Sequence, residues 1–547
     1  MLVDTDVLII GAGLSGVGFA IRLQQKYPRA TFEIYEKAEE LGGTWWANTY
    51  PGCACDVPSH LYSYSFALNP EWSAQFAPQA EIGAYCRSVA ENFDIRRHIT
   101  FRSIVEAATF DEVSGTWLVR ILDQATGQVY ERRSRILISA VGLLSEPNDC
   151  ELPGVEEYGG KLFHSARWDH SFEWEGKDVV VVGNGCSATQ FVPLLTDTPG
   201  SAQKVTQFVR QPHWLEERPN PKYGAVARWI FRNIPFAMRL FRCAIFLYLE
   251  SYFKTFILVS GKSVREKRTK EQTAYIKRMA PERYHDILIP KFEMGCKRRV
   301  MDTGYLACLH RENMELVHDD PVKSLTGTGV VTAAGREINA DAVILATGFK
   351  TTQPLFPMDV RGVGGVSLTE HWKNTPSHTP SAYYGTAISS FPNMFILIGP
   401  NTATGHTSAL FTSECQIEFA LKILHPILNP LHPSPPKFLS RLLTPLTLPL
   451  SLLKSSNPGP APNTVSLTKQ AEDNESAWID EASKGFVWTS GCASWYLHPS
   501  GRNTGIYPAS QVAFWGRSWW GPRKGEFEYK SIGNEGSDEK LVKGKGE

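Results

Sequence analysis

Two segments of the 547-residue chain share one pattern, in which a run of apolar residues leads through a glycine-rich turn into sequence typical of a helix. The first is DVLIIGAGLSGVGFAIRLQQ from Asp6, and the second is DVVVVGNGCSATQFVPLL from Asp178. A strand that passes through a tight glycine turn into a helix begins a dinucleotide-binding unit, in which helices cover a parallel sheet. The repetition predicts an α/β fold with two Rossmann-like dinucleotide-binding domains.

The first glycine loop, GAGLSG, fits the pattern G-x-G-x-x-G and follows its apolar strand directly. Gly11 permits the tight turn, Gly13 lets the backbone approach a pyrophosphate, and Gly16 lets the following helix pack closely. Glu36 ends the next predicted strand, where an acid accepts hydrogen bonds from an adenosine ribose. The alternative is a chance glycine turn beside a surface glutamate. We interpret the loop as a dinucleotide site, with FAD as the candidate.

The second glycine loop repeats the pattern with alanine in the third position: Gly183, Gly185 and Ala188, with Ser187 before the last. Its next predicted strand, KVTQFVR, ends in Arg210 instead of an acid. A guanidinium suits a ribose 2′-phosphate, which an acid would repel, so this site is predicted to prefer NADP over NAD. The alternative is that Arg210 only ends a strand at the surface. Because one strand ends in the acid Glu36 and the other in the cation Arg210, we predict FAD in the first site and NADPH in the second.

The charge balance points to a small-molecule partner. Lys plus Arg and Asp plus Glu both number 56, which argues against nucleic acid or an anionic membrane as the partner. The first residues run into a strand pattern without a secretory signal, and the ten cysteines are scattered, which predicts reduced thiols and a cytoplasmic protein. The most apolar run, 243–249, is too short to span a bilayer, so no integral membrane segment is predicted.

Changes of composition along the chain predict its organisation. Aromatic and basic residues alternate at helical spacing in the middle of the chain, which we interpret as solvated basic faces around a packed apolar stripe. A proline-rich stretch is interpreted as a flexible surface loop and not as an amphipathic anchor, since Pro445 and Pro449 would break a helix, and a gene-model artefact stays open. The predicted units are a split FAD-binding domain (1–150 and 351–525), a split NADP-binding domain (151–215 and 295–350), a helical insertion (216–294), the proline-rich insert (429–463) and a disordered tail (526–547).

A flavin that receives hydride from NADPH can reduce a disulfide, pass electrons onward or activate oxygen. A disulfide reductase of this architecture needs a Cys-x-x-Cys pair beside the flavin, and the sequence contains none. Cys53 and Cys55 are separated by one residue, a spacing that disfavours a bridge, so we interpret them as packing thiols. No metal site is predicted. Oxygen activation is the favoured reaction.

Four stretches resemble the Baeyer–Villiger monooxygenase family. Residues 42–56, GGTWWANTYPGCACD, resemble a signature in which two glycines and a tryptophan precede an aromatic-Pro-Gly turn and an aspartate. Residues 158–169, YGGKLFHSARWD, match a second signature, with tyrosine where phenylalanine is usual. GCKRRVMDTGY at 295–305 and GCASWYLHPSGRN at 491–503 look like the family's Lys-Arg and C-terminal segments. The similarity reaches to about residue 515, apart from the proline-rich insert.

The resemblance implies an enzyme that uses FAD and NADPH to insert one oxygen atom from O2 beside the carbonyl of a ketone, through a flavin C4a-peroxide. It implies Arg298 as the catalytic cation that holds the peroxide anion and the tetrahedral adduct. It implies Asp56 as the acid that orients Arg298 by charge-assisted hydrogen bonds. The further cofactor contacts implied are Thr44, Trp45 and Asp56 in the first signature, Lys297 at the NADP 2′-phosphate and Trp495 at the nicotinamide.

Two alternatives stay open at this point. A related flavin monooxygenase would oxidise an amine nitrogen or a sulfide sulfur, and Arg298 would then matter less. An uncoupled flavoprotein that behaves as an NADPH oxidase is favoured slightly by the insert and by Leu143, where relatives often carry glutamine. We interpret His164 as a structural residue between domains. The shape of the ketone and the oligomeric state are left open.

Overall fold

The computed structural model, which describes residues 3–432 and 461–532, contains two separate sheets that each carry one of the glycine loops. The strands are β1 (Thr5–Ile10), β2 (Phe32–Tyr35), β3 (Ile99–Thr100), β4 (Ser103–Asp111), β5 (Thr116–Asp123), β6 (Val129–Ser139), β7 (Lys161–His164), β8 (Asp178–Val182), β9 (Lys204–Val209), β10 (Leu215–Glu217), β11 (Val300–Asp302), β12 (Met314–His318), β13 (Val322–Thr326), β14 (Gly329–Thr332), β15 (Glu337–Asn339), β16 (Ala342–Leu345), β17 (Asp359–Arg361), β18 (Met394–Ile396), β19 (Thr464–Leu467) and β20 (Phe527–Lys530).

The helices are α1 (Leu14–Lys26), α2 (Thr44–Ala47), α3 (Gln79–Asn92), α4 (Ala188–Leu195), α5 (Ala225–Asn233), α6 (Ala237–Ser251), α7 (Lys262–Met279), α8 (His285–Leu288), α9 (Tyr305–Cys308), α10 (Leu368–Lys373), α11 (Ala409–Ile423), α12 (His425–Leu431), α13 (Lys469–Ser483) and α14 (Gln511–Trp520). Short 3-10 helices lie at Arg96–His98, Val155–Glu157, Ser165–Arg167, Tyr252–Phe256, Glu282–Tyr284, Val363–Gly365 and Val487–Thr489.

The first sheet has the strand order β17-β4-β5-β6-β1-β2-β3, with β18 beside β6. Strand β1 runs parallel to both β2 and β6, so that Ile9 pairs with Ile34 on one side and Ile138 on the other. All six residues of β1 are buried, and the last four form the continuous apolar run expected of a strand in a sheet that is covered on both faces. The first glycine loop therefore leaves the sheet from a buried, internal strand.

The second sheet has the strand order β12-β9-β8-β16-β7, and every pairing in it is parallel. Strand β8 lies at its centre, where Val181 pairs with Gln207 and Ile344. Each glycine loop thus follows a strand flanked on both sides, at the carboxyl edge where open α/β sheets bind ligands. The predicted α/β fold with two Rossmann-like domains is confirmed.

Close backbone contacts explain why both loops need glycine. A Cβ atom on Gly16 would lie 2.0 Å from the carbonyl oxygen of Gly11, because α1 packs directly over the turn. Gly183 has φ +114°, and a Cβ atom there would lie 2.4 Å from the carbonyl oxygen of Ala346. Any side chain at either position would push helix and sheet apart.

The helical insertion lies between β10 and β11, which pair with each other in parallel. Its predicted packed apolar stripe is found on one side of the first two helices, where Ile245 and Phe246 pack against the core, although only Leu249 of α6 and no residue of α5 is fully buried. The predicted solvation of its basic residues is wrong at Arg242 and Arg265, whose side chains are 11 % and 4 % exposed. Both guanidinium groups donate to backbone carbonyls, which only an arginine buried by the fold can reach.

The tail predicted to be disordered, 526–547, begins with a strand. Strand β20 pairs antiparallel with β19, and Tyr529 donates a hydrogen bond of 2.9 Å to the carbonyl oxygen of Ile423. The Gly, Lys and Glu content concealed the alternation of Phe527 and Tyr529, which is a strand pattern. Residues 433–460, most of the predicted proline-rich insert, and 533–547 lie outside the described residues.

Replacing Gly16 with alanine is expected to lower the Tm of the purified protein. The added methyl group would meet the carbonyl oxygen of Gly11 at 2.0 Å, so α1 or the loop must shift. Overpacking of this kind typically destabilises by about 1–3 kcal/mol. Thermal unfolding followed by circular dichroism measures the effect. Gly327→Ala is the control, because its nearest atom would be 3.7 Å away; equal Tm values for both variants would contradict the prediction.

Candidate active site

An ion pair between Asp56 and Arg298 joins residues that are 242 positions apart in the sequence. Arg298 donates to Oδ2 of Asp56 from Nε at 2.9 Å and from Nη2 at 2.6 Å. Burial disfavours a charge on Asp56, but the charge and hydrogen bonds of Arg298 hold the pKa of that carboxyl below its usual range. Burial likewise opposes the charge on Arg298, and Asp56 outweighs it and raises the pKa of the guanidinium. Both groups therefore stay ionised at neutral pH, with a quarter of each side chain exposed (27 % and 26 %).

The turn that carries Asp56 is fixed by contacts with α4, the helix that follows the second glycine loop. Tyr50 donates from its hydroxyl to Oε1 of Gln190 at 2.9 Å, and Nε2 of Gln190 donates to the carbonyl oxygen of Ala54 at 3.0 Å. A Cβ atom on Gly52 would lie 2.9 Å from the carbonyl oxygen of Gln190. The stretch 42–56 thus connects the first dinucleotide domain to the second. Gln190 could not be identified from the sequence, since one glutamine on a helix gives no signal.

Two further contacts hold the pair in place. Nη1 of Arg298 donates to the carbonyl oxygen of Thr404 at 3.3 Å. Nη2 of Arg218 donates to the carbonyl oxygen of Cys55 at 2.7 Å, and its charge also favours the ionised form of Asp56. Arg218 could not be identified from the sequence, because this residue belongs to no motif and lies beside Asp56 only in the folded chain. The pair is therefore held from three separate segments of the chain.

The first glycine loop has the features that an FAD pyrophosphate and ribose require. Glu36 is buried and accepts hydrogen bonds from the backbone N–H groups of Ala12, at 2.7 Å, and Ala38, at 2.8 Å. Gly13 caps α1 and has no side chain, so the first N–H groups of the helix are left open to a phosphate. A Cβ atom on Gly13 would lie 3.5 Å from Cα of Gly43, which defines a narrow cradle lined by backbone.

Helix α2 begins at the edge of this cradle with Thr44 and Trp45. The side chain of Thr44 is exposed. Trp45 is buried, and its indole N–H donates to the hydroxyl of Tyr62 at 3.1 Å. Of the two contacts that the resemblance implies, Thr44 therefore presents its side chain freely, whereas the Trp45 ring belongs to the core that supports α2.

The second glycine loop also leaves a helix N-terminus open. A Cβ atom on Gly185 would have no neighbouring atom within 4 Å, and Ala188 is buried at the start of α4. Ser187 is the N-cap of α4, and its hydroxyl makes no capping hydrogen bond to the helix within the described residues. The backbone N–H groups at the start of α4 are thus open to a pyrophosphate, while the Ser187 hydroxyl also interacts with the hydroxyl of Tyr50.

Two cations lie together at the end of β9. Arg210 is exposed, and Lys297 donates to Oε1 of the adjacent Gln211. Burial, and then the charge of Arg210, lower the pKa of Lys297 to about 8. Unlike their neighbours Arg298 and Arg299, which pair with carboxylates, these two form no ion pair in the described ranges. An unmatched pair of cations suits a dianion such as a 2′-phosphate.

The C-terminal segment 491–503 brings two aromatic residues to the same region. Trp495 is half-buried and contacts the ring of Tyr496 edge-on, with 4.5 Å between centroids. Tyr496 is buried, and its hydroxyl has no hydrogen-bond partner among the described residues. Burial raises the pKa of this phenol while the charge of Arg298 opposes the rise, so the two groups are close neighbours. Trp495 was identified through the resemblance, whereas Tyr496 gives no signal in the sequence and comes beside Arg298 only in the fold.

A disulfide between Cys296 and Cys492 ties the Lys-Arg segment to the C-terminal segment. The two residues are 196 positions apart, with 6.2 Å between their Cα atoms, and both are buried. The prediction that all cysteines are reduced is therefore wrong for this pair. Spacing along the chain could not reveal it, because only the fold brings the two segments together. Cys53 and Cys55 are free and buried, in agreement with their interpretation as packing thiols.

His164 lies at the end of β7 and takes no part in the charged site. Its Nδ1 accepts a hydrogen bond from the backbone N–H of Ala166 at 3.0 Å, and burial lowers its pKa to about 4. The ring is therefore neutral at pH 7, which agrees with a structural role. No cluster of potential metal ligands is found in residues 3–432 and 461–532, and none of the helices there is long and apolar enough to cross a membrane.

Comparison with known proteins adds four findings. The family model described as flavin-binding monooxygenase-like matches residues 4–365. A Baeyer–Villiger monooxygenase of Pseudomonas aeruginosa is 34 % identical over 503 residues, covering 92 % of this chain and 87 % of the relative. An FAD-binding monooxygenase of Aspergillus niger is 36 % identical over 420 residues, covering 76 % and 67 %. The crystal structure of OTEMO with FAD and NADP matches with a TM-score of 0.80 and 23 % identity over 97 % of this chain and 100 % of that one, which shows a common fold.

Binding of NADP⁺ is expected to weaken as the pH rises above about 8. In the protein without NADP⁺, the Lys297 ammonium loses its proton with a pKa of about 8. A bound 2′-phosphate would keep this ammonium protonated, so above that pH the binding reaction must take up a proton from solution. Kd should rise by up to about tenfold per pH unit. Titration calorimetry across this range measures it. Lys297→Arg stays charged and should remove the dependence, while NAD⁺, without a 2′-phosphate, should not show it. Equal pH dependence in the wild type and Lys297→Arg would contradict the assignment.

Joint replacement of Cys296 and Cys492 by serine is expected to destabilise the protein by about 2–4 kcal/mol, since the bond closes a long loop. Differential scanning calorimetry should show a lower Tm for this variant, and a reductant should lower the Tm of the wild type only. Cys243→Ser is the control, because this thiol is exposed and unpaired. Alkylation of all ten cysteines in unreduced, denatured protein would show that the bond is absent.

Proposed function

The chain belongs to the flavin-binding monooxygenase-like family and, within it, to the FAD- and NADPH-dependent Baeyer–Villiger monooxygenases, and we propose that it inserts one oxygen atom of O2 beside the carbonyl of a ketone. Ketone, O2, NADPH and a proton give an ester or lactone, water and NADP⁺. The single observation that carries the proposal is the Asp56–Arg298 pair, a permanent cation beside both dinucleotide sites. The proposed compartment is the cytoplasm because it maintains NADPH; the cysteines no longer support it, since Cys296 and Cys492 are bonded.

The residues that would hold the cofactors follow from the open backbone groups and unmatched charges. Gly11, Gly13 and Gly16 with the N-terminus of α1 would hold the FAD pyrophosphate, and Glu36 would accept from its ribose. Gly183, Gly185, Ser187 and Ala188 would hold the NADP pyrophosphate, with Arg210 and Lys297 at the 2′-phosphate. When bound and reduced, FAD supplies the activation of O2, while the protein supplies orientation and charge.

Arg298 has the donors that a developing oxyanion needs. Its guanidinium carries five N–H groups, of which Nε–H and one on Nη2 bind Asp56 and one on Nη1 binds the carbonyl of Thr404. One N–H on each Nη atom therefore remains to donate to an oxygen of the reacting ketone. The aligned cation needs no reorganisation when charge develops on that oxygen, which is the main advantage of a preorganised site.

Asp56 acts through Arg298. Two hydrogen bonds to one carboxylate oxygen fix the plane of the guanidinium, and so fix where its remaining N–H groups point. Because the pKa of Asp56 is held below its usual range, the carboxylate does not take up a proton at neutral pH. We propose that Trp495 and Tyr496, held by the Cys296–Cys492 bond, help to exclude water from this site.

The function is tested with purified holoprotein, NADPH and a mixture of linear, cyclic and aryl ketones. Mass spectrometry should detect products heavier by one oxygen atom, formed in step with NADPH consumption. Label from ¹⁸O2 should appear in the ester or lactone. If NADPH use is matched entirely by hydrogen peroxide for every ketone, the proposal fails, and sulfides and amines in the same assay decide between the two alternative reactions.

Arg298→Ala is expected to lower ketone oxygenation by about 10²–10³-fold while NADPH is still consumed, so that electrons leave as hydrogen peroxide. Asp56→Asn should cause a smaller loss, because the cation remains but one orienting charge is gone. Peroxide and ester are quantified in the same reaction.

Arg336→Ala is the control for removal of an arginine, since Arg336 pairs with Glu315 in a different part of the chain. Full ester formation by Arg298→Ala would contradict the assigned role. Sulfide oxidation that survives in Arg298→Ala while ester formation is lost would show that the cation serves the ketone reaction in particular.

A further inference from the structure

Helices α5 and α6 form a hairpin whose outward side is apolar. Six large apolar side chains define this outer face and are 38–72 % exposed: Trp229, Ile230, Ile234, Phe236, Leu240 and Leu247. Along α6, Leu240, Ala244, Leu247 and Tyr248 recur at helical spacing, so they form one continuous stripe. An exposed apolar surface of this extent marks a binding face.

The inner side of the same hairpin is firmly held. Phe231 and Phe241 pack against the buried ring of His60, with 4.5 Å and 5.2 Å between centroids. Arg242 donates to the carbonyl oxygens of His60 at 2.8 Å and Ser63 at 2.7 Å. The hairpin is therefore apolar on both sides, and its inner side already has its partners. The outer face is therefore not a core-facing stripe on helices placed with the wrong side toward solvent, because the other side of the hairpin already packs against the protein.

The charge around the outer face selects its partner. Residues 222–249 contain five basic residues, Lys222, Arg228, Arg232, Arg239 and Arg242, and no acidic residue. The balanced charge of the whole chain, from which no anionic membrane was expected, conceals this local excess. Arg232 pairs with Glu71 and Arg242 with Glu414, whereas Lys222, Arg228 and Arg239 form no ion pair in the described ranges. Apolar side chains flanked by unmatched cations are the composition of helices that lie in the interface of an anionic membrane.

A second copy of the chain fits this face poorly. In a symmetric dimer the same patch meets itself, which would bring Arg228 and Arg239 close to their own copies without acids between them. The proline-rich stretch 433–460 is an equally poor match, because its only charged residues are Lys437, Arg441 and Lys454. Anionic lipid headgroups supply both the negative charge and the apolar layer below it.

We propose that the outer face of the α5–α6 hairpin docks the enzyme on the surface of an anionic lipid bilayer, without crossing it. Trp229, Phe236 and Leu240 would enter the acyl boundary, and Arg228 and Arg239 would remain at the phosphates. This docking also gives the hairpin a role in substrate entry, a consequence that rests on the proposed function. Glu250, at the end of α6, binds His406 at 2.9 Å, and His406 lines a cleft together with Lys297 and Arg299.

The test is sedimentation of the full-length holoprotein with sucrose-loaded vesicles. At about 0.1 M salt, where the Debye length is about 10 Å, binding to phosphatidylcholine–phosphatidylserine vesicles should exceed binding to pure phosphatidylcholine by at least about tenfold. The variant Trp229→Ser/Phe236→Ser/Leu240→Gln should lose this binding while it keeps its Tm and its turnover of a water-soluble ketone. Such a result separates failed docking from failure of the proposed function.

Val113→Ser/Val129→Ser is the matched control, since these side chains are 83 % and 46 % exposed at another surface and should keep full vesicle binding. A fluorophore on Cys243, which is exposed on α6, should shift to the blue when vesicles bind, in a Cys186→Ser background that removes the other exposed thiol. The proposal is overturned if anionic vesicles do not bind the wild type, or if the triple variant binds them equally well. It is also overturned if light scattering shows a dimer that only the triple variant lacks, because the face would then be a subunit interface.

Discussion

The Asp56–Arg298 pair is the interaction on which the arrangement of the site depends, because its members come from segments that approach each other only in the complete fold. A charged pair partly removed from water is stable only when its remaining hydrogen-bonding groups are also satisfied or exposed. Here the carbonyl of Thr404 takes one further N–H of Arg298, and Arg218 adds a second positive charge near Asp56. The contact of Gln190 with the turn before Asp56 and the bond from Cys296 to Cys492 hold the two segments on either side.

The parts of the fold that could be predicted are those that depend on residues close together in the sequence. A strand, a glycine turn and a helix lie next to each other in the chain, so Gly16 and Gly183 could be recognised from spacing alone. Asp56 and Arg298 were identified only by resemblance to a family, since an acid after a turn and an arginine in a basic run are otherwise ordinary. The sequence could not predict the roles of Gln190, Arg218 and Tyr496, because these roles arise from contacts across the fold and leave no periodic signal.

The predictions that were wrong share one physical cause. Helical periodicity in the insertion predicted one packed apolar stripe, but it did not reveal the second, exposed apolar face of α6 or the burial of Arg242. The cysteines were judged by their scatter, yet a bond depends on distance in space, and Cys296 and Cys492 are brought together by the same approach that places Tyr496 near Arg298. In β20, composition outweighed an alternation of only four residues. Tertiary context decided each case.

The contact between Gln190 and the Tyr50–Ala54 turn limits which domains can be exchanged between related proteins, whether by protein engineering or by recombination during evolution. A crossover that exchanges the second dinucleotide domain replaces α4 and the Lys-Arg segment together, while the turn and its aspartate stay behind with the first domain. A chimera would thus inherit the two members of the charged pair from different parents, with Gln190 coming from the parent of the arginine and the turn that it binds coming from the parent of the aspartate. Compatibility at that single helix-to-turn contact, more than overall identity, should decide which relatives can donate domains to this chain.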